Sequence, residues 1–269
     1  MKLRSDMPKV LTIAGSDSSG GAGIQADLKT IAAQHMYGMS VITALTAQNT
    51  TGVRSIFDAS PDFVADEIDA VFEDIRPDAV KIGMLSESGI IDIVASKLCE
   101  YEPANVVLDP VMVATSGSRL LKDEAVGELI DKLLPLADIV TPNIPEAEIL
   151  AEREIKSDDD MIRAAEKIGA SGTAVMLKGG HFIERADDLL WDNGRIIWLR
   201  AEHIDNPNTH GTGCTLSSAI ACGLAGGKAM ERAVREAKEY LTGAICAGLD
   251  LGHGHGPLDH MWAMETSHD

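Results

Sequence analysis

The segment Gly211-Thr212-Gly213-Cys214-Thr215 joins a polar turn to a stretch that opens on small residues, Ser217, Ser218, Ala219 and Ala221. Glycines ahead of a helix leave backbone N–H groups aimed outward, and the helix dipole adds partial positive charge there, so the segment suits phosphate oxygens. Cys214 would then stand at an anion site. The plainer reading keeps the glycines as a turn and Cys214 as a small packed hydrophobe, and the segment alone does not choose.

Other chemistry-bearing residues stand at the ends of apolar runs. Ala14 to Gly23 follows a strand-like run and precedes a helical stretch carrying Asp27. This is the order of a nucleotide or substrate loop, but it lacks the lysine and hydroxyl of a P-loop and a clear ribose-reading acid, so a flexible turn is the competing reading. Asn143-Ile144-Pro145-Glu146 reads as a capping box, and its Glu146, at the carboxyl end of a sheet, would also suit a magnesium-bound water. Lys178-Gly179-Gly180-His181 ends a strand with a lysine that either reaches a triphosphate as a mobile point charge or is merely solvated. Asp109-Pro110-Val111 ends another with an acid that binds magnesium or caps a turn. Asp158-Asp159-Asp160 follows Ser157 and precedes an amphipathic run, which a capped helix start explains better than a metal. His253, His255 and His260 form no coherent ligand set and read as a terminal turn.

The elements that must position these groups alternate. Strand-like runs at Val10 to Ala14, Met39 to Ala47, Ala79 to Ile82, Val106 to Leu108, Asp138 to Thr141 and Ala174 to Lys178 are interleaved with helical stretches. These stretches are Ile24 to Met36, Pro61 to Ile75, near Asp123 to Leu134, and Asp158 to Gly169. Runs without polar alternation are strands covered on both faces, so the rhythm predicts an α/β fold with a mostly parallel central sheet flanked by helices. Asn193-Gly194, between apolar runs within Leu189 to Leu199, predicts a small β-hairpin. Two helices close the chain, one from Gly213-Cys214 to Gly226-Gly227 and one from Lys228 to Leu249.

Composition narrows the partners. The 269 residues carry 23 Lys plus Arg against 42 Asp plus Glu, a net charge of −19, which argues against nucleic acid or an anionic membrane as a partner. The four cysteines, Cys99, Cys214, Cys222 and Cys246, form no CxxC pair and no disulfide framework, as in reduced cytosolic proteins. Met1 to Lys9 is polar and no apolar run is long enough to span a membrane, so the expected location is cytoplasmic. No linker or repeat divides the sequence, and residues 1–269 are expected to form one domain.

Taken in order, Gly15 to Lys29, Ala44 to Thr50, Lys81 to Leu85, Leu108 to Met112, Thr141 to Asn143, Lys178 to His181 and Asn208 to Cys214 resemble the hydroxymethylpyrimidine/phosphomethylpyrimidine kinases of thiamine biosynthesis. These belong to the ribokinase-like superfamily. The resemblance implies two successive phosphorylations of 4-amino-5-hydroxymethyl-2-methylpyrimidine by magnesium ATP, in a groove along one sheet edge, by a homodimer. It puts Asp27, Gln48, Met84 and Val111 at substrate positions, Asp109, Asn143, Glu146 and Lys178 at phosphate and magnesium positions, and Gly211, Thr212, Gly213 and Cys214 at the anion hole and catalytic residue. The chemistry agrees: the Gln48 amide presents an acceptor and a donor to an aminopyrimidine edge, Met84 and Val111 offer apolar contact, and the Asp27 carboxylate accepts a further bond. In a loose phosphoryl-transfer transition state positioning and charge neutralisation dominate, which leaves Cys214 to accept the hydroxyl proton late. Two rivals are a pyridoxal kinase of the same superfamily and a pyrimidine-sensing protein without catalysis.

Overall fold

In the first strand, β1 (Lys9–Asp17), Val10 enters one apolar layer while Leu11 and Ile13 enter the other. The same alternation recurs at Ala79 against Val80 and Ile82, at Val107 against Val106 and Leu108, and at Ala174 and Met176 against Val175 and Leu177. A strand's side chains point to opposite faces in turn, so runs apolar at every position need cover on both sides. A computed structural model describes residues 6–113, 120–121, 123–179, 187–200 and 204–264, and in it each face has that cover.

The cover over one face includes α1 (Gly23–Ala33), α7 (Thr212–Ala225) and α8 (Met230–Cys246), and over the other α2 (Pro61–Asp74), α3 (Ser88–Tyr101), α4 (Asp123–Glu128), α5 (Ile144–Ala151) and α6 (Asp158–Ile168). The remaining strands are β2 (Tyr37–Asn49), β3 (Gly52–Asp58), β4 (Ala79–Ile82), β5 (Val106–Leu108), β6 (Ile139–Val140), β7 (Ala174–Leu177), β8 (Asp188–Asp192) and β9 (Arg195–Leu199). They make a nine-stranded sheet in the order β3-β2-β1-β4-β5-β6-β7-β8-β9. Pairing is parallel from β2 through β7 and antiparallel at both edges. The carboxyl ends of β1, β4, β5, β6 and β7 therefore share one side of the sheet, where open α/β sheets hold ligands.

The expected hairpin is β8–β9, with Asp192 opposite Arg195 and the intervening Asn193 and Gly194 at φ 47° and 85°. Ser157 accepts from the Asp160 N–H and so caps α6, as the triple-aspartate segment predicted. Two elements carried no readable signal. Strand β3 buries almost nothing, and α3 begins at Glu87 without a side-chain cap. The stretch near Asp123 to Leu134 is helical but not uniform, since α4 widens into a π-type turn over Leu129–Leu133 and tightens at Leu134–Leu136. Gly180 and His181 lie outside the described residues.

Candidate active site

Gly211 caps α7 at φ +85°, and a Cβ there would stand 1.9 Å from the Gly21 carbonyl oxygen. Only glycine fits both the left-handed backbone and the contact, so the Ala14–Gly23 loop and the Gly211 loop press directly together. The Thr212 N–H donates to Thr209 O and the Thr215 N–H to Gly211 O. The N–H groups of Gly213 and Cys214 belong to the first turn, where a helix supplies no acceptor of its own.

Around that turn the strand-end residues converge. Lys178 Nζ lies 3.3 Å from Asp109 Oδ1, joining the ends of β7 and β5. A Cβ on Gly213 would be 3.3 Å from Asp109 Oδ2 and 3.4 Å from Lys178 Nζ, so the absence of a side chain lets helix start, cation and carboxylate meet. Asp109 also accepts from Thr141 and Ser217, at 3.2 and 3.3 Å. The capping box exists as read: the Glu146 N–H donates to Asn143 Oδ1 at 2.9 Å and the Asn143 N–H to Glu146 Oε2 at 2.8 Å. Burial pushes the Glu146 carboxyl up to about 7, against Lys178, which pulls it down, and with Asp109, which adds to the rise. For Lys178 burial disfavours the charge, but Asp109 and Glu146 outweigh it and hold its pKa above the ordinary lysine value. Among the described residues no group of three or more His, Cys, Asp or Glu is arranged to hold a metal ion. Asp109 and Glu146 are hard oxygen donors facing one lysine, a set that suits a cation held mainly by phosphates and water.

Cys214 is half-buried one residue further along α7. Burial pushes the thiol up to about 11, with Lys81 opposing and Asp27 and Asp109 reinforcing the rise. At neutral pH it is therefore an –SH, and a role as proton acceptor would require it first to become a thiolate.

Asp27 departs from the sequence expectation. Its carboxylate does not face outward to a ring but is wholly buried, paired with Lys81 at 2.9 Å and accepting from Thr12 at 2.6 Å and Ser218 at 2.7 Å. Lys81 is equally buried, and the sequence reading gave it no role. Met84 is buried beside Gly15, its sulfur 3.0 Å from where a Gly15 Cβ would stand, and the half-buried Val111 follows Asp109, to whose carbonyl its N–H donates at 2.8 Å. Gln48 is half-buried near the end of β2, with Oε1 3.0 Å from Thr46 Oγ1 and Nε2 3.3 Å from His210 Nε2.

Two residues that the sequence reading left unassigned tie this region together. Asp17 Oδ2 lies 2.8 Å from His210 Nε2 and accepts from the Gly21 and Ala22 N–H groups, while Oδ1 accepts from Ser19. Burial would raise Asp17, but His210, Ser19 and Ala22 together hold it down at about 2. Asp17 belongs to the Gly15 to Lys29 motif and His210 to the Asn208 to Cys214 motif, and 193 positions separate them, so nothing local signals the pair. The terminal turn also bears on the site: Gly256 N–H donates to Asn208 Oδ1, His210 N–H to Gly256 O, and His260 Nε2 lies 3.0 Å from Thr215 Oγ1.

A family model described as phosphomethylpyrimidine kinase matches residues 17–259. The hydroxymethylpyrimidine/phosphomethylpyrimidine kinase of Streptomyces coelicolor is 48% identical over 96% of this chain and 96% of its own length. The thiamine biosynthesis bifunctional protein ThiED of Geobacter sulfurreducens is 49% identical over 99% of this chain, which spans 55% of that longer relative. Among solved structures, a Bacillus subtilis pyridoxal kinase in complex with ADP superposes with a TM-score of 0.90 at 40% identity, covering 97% of this chain and 100% of that one. The fold is thus the ribokinase-like one that the motifs implied. By matched length and by identity, the chain belongs to the phosphomethylpyrimidine kinase family.

Proposed function

We propose that this chain is an ATP-dependent kinase of thiamine biosynthesis that phosphorylates 4-amino-5-hydroxymethyl-2-methylpyrimidine and then its monophosphate to the diphosphate. The observation that carries this reading is the meeting of Lys178 and Asp109 over the side-chain-free Gly213 at the start of α7. A cation, outward N–H groups and a helix dipole on one spot are what a transferring phosphoryl group needs, because its charge is spread over three oxygens. Gln48, Met84 and Val111 hold the ring; Asn143 supports the phosphates. Magnesium, which supplies further charge neutralisation on the phosphates, would be held by Asp109 directly and by Glu146 through water.

Cys214 stands beside the reacting hydroxyl in this reading. Its neutral thiol fits a loose transition state, in which the hydroxyl keeps its proton until late and little base strength is required. Asp27 supports the site from beneath, through Lys81, rather than by touching the ring. The cross-strand neighbours Leu45 and Phe57, both exposed on the β2–β3 edge, suit burial against a second copy, which supports a homodimer. Among the described residues no helix is long and apolar enough to cross a membrane, and the reading sets the reaction in the cytoplasm.

The test is ADP release with hydroxymethylpyrimidine, its monophosphate and pyridoxal in parallel. The reading expects turnover with the first two and a kcat/KM for pyridoxal lower by about tenfold or more, since a pyridine alcohol lacks the amino and ring-nitrogen pair that an amide reads. A preference for pyridoxal would move the chain to its rival reading, and no ADP release with any of them would leave a binding protein.

A further inference from the structure

Gln48 faces a mismatch in the structure. Its Nε2 lies 3.3 Å from His210 Nε2, and that histidine nitrogen lies 2.8 Å from Asp17 Oδ2. An ionised carboxylate only accepts, so His210 Nε2 must carry a hydrogen and donate, and an amide NH₂ opposite it would set donor against donor. On the other side Thr46 Oγ1 lies 2.8 Å from the Ser16 carbonyl oxygen and 3.0 Å from Gln48 Oε1. The hydroxyl has one proton, and the Ser16 carbonyl can only accept it, so toward Gln48 the hydroxyl must itself be the acceptor. Two independent neighbours therefore ask for the same change, and the ends of an amide are told apart by such partners. The depressed Asp17 pKa of about 2 agrees, since it keeps that carboxylate ionised.

We infer that His210, held by Asp17, fixes the Gln48 amide with its carbonyl oxygen toward His210 and its NH₂ toward Thr46, and so makes Asp17 and His210 positioning residues that set which way round the substrate ring binds. This rests on the pyrimidine reading above. The single Nε2–H of His210 is then shared, pointing mainly to Asp17 Oδ2 at 2.8 Å and more weakly to the Gln48 amide at 3.3 Å. One lone pair of Oε1 and one N–H of Nε2 are left for the ring, so the 4-amino group is received on the His210 side and the adjacent ring nitrogen on the Thr46 side. On the substrate the hydroxymethyl group is on the carbon next to the one bearing the amino group, on the side away from that ring nitrogen. The orientation thus carries the reacting hydroxyl toward the segment that runs from His210 into Gly211, Gly213 and Cys214. The opposite amide setting would turn the hydroxyl away from it.

Two measurements test this. With nitrogen-15 glutamine, which labels positions 25, 34 and 48 alone, the Gln48 side-chain N–H pair is expected to show nuclear Overhauser contacts to Thr46 and none to the His210 ring. Contacts to the ring would overturn the assignment, and this measurement needs neither substrate nor variant. In kinetics, removing the 4-amino group from the substrate is expected to raise KM by about tenfold in the parent enzyme, the effect of one lost hydrogen bond. In H210A that penalty should shrink to about threefold and kcat for the natural substrate should fall, because a ring bound the other way round holds its hydroxyl away from Cys214, and H210Q, which can still offer an N–H, should restore both. A penalty unchanged in an H210A protein that melts like the parent overturns the positioning role, which a merely structural histidine would leave unchanged. If instead Q48A leaves KM for hydroxymethylpyrimidine as it was, the pocket reading itself fails, whereas an altered Q48A with an unaltered amino-group penalty in H210A fails this inference alone.

Discussion

Lys81 and Asp27 meet at 2.9 Å with both side chains wholly out of solvent, joining β4 to α1 close enough to Cys214 for both charges to act on its thiol. The Asp27 carboxylate is satisfied by Lys81, Thr12 and Ser218, so the charge sits in a complete set of partners. Removing one member of such a pair leaves an uncompensated buried charge. K81M is therefore expected to lose about 3–5 kcal/mol of stability, and K81M combined with D27N to recover part of that loss. Urea denaturation of the two proteins measures it. A K81M protein as stable as the parent would remove the pair from the fold's support.

Lys178 is the cation that faces both Asp109 and the start of α7. K178M keeps the stem and removes the charge, so it is expected to lower kcat by about a hundredfold or more, the usual effect of deleting one group that stabilises transition-state charge. Steady-state ADP release reads the change. A loss confined to KM would make Lys178 a binding residue only.

Gly211 and Gly213 are expected to fail in different ways. At Gly211 a side chain meets both a left-handed backbone and the Gly21 carbonyl at 1.9 Å, so G211A should lower the melting temperature by several degrees. At Gly213 the nearest atoms stand at 3.3 and 3.4 Å and belong to Asp109 and Lys178, so G213A should melt near the parent and lose turnover. Paired melting curves and rates separate the two.

Asp17 supplies a pH dependence of stability. Its folded pKa, about 2, lies below the ordinary 3.8, so the folded state favours the ionised form. That contribution is complete above about pH 4 and is lost as pH falls toward 2. D17N should be less stable than the parent at pH 6 and should lack this part of the acid slope, which urea titrations at stepped pH would measure.

Cys214 should be slow to alkylate. Its thiol is pushed up to about 11, while Cys99 and Cys246 are exposed. Iodoacetamide at pH 7.5, followed by peptide mass spectrometry, is expected to label Cys99 and Cys246 first, with Cys214 reacting appreciably only as the pH climbs toward its own titration. Rapid labelling of Cys214 at neutral pH would mean that a thiolate is already present, and would restore its role as a ready base.

The sequence by itself determined the layered sheet, because strand runs such as Ala174 to Leu177 are apolar at every position and only a doubly covered sheet buries both sides. It determined the β8–β9 hairpin through Asn193-Gly194, the Glu146 capping box and the glycine-led start of α7, since each depends on residues within a few positions. Tertiary structure alone decided what the charged groups do. Asp27, which the resemblance put at a substrate position, became a buried partner of Lys81, 54 residues away, and Asp17 was brought to His210 across 193 residues. A carboxylate's role is set by which donors surround it after folding, and those donors come from strand ends that only the sheet order places side by side.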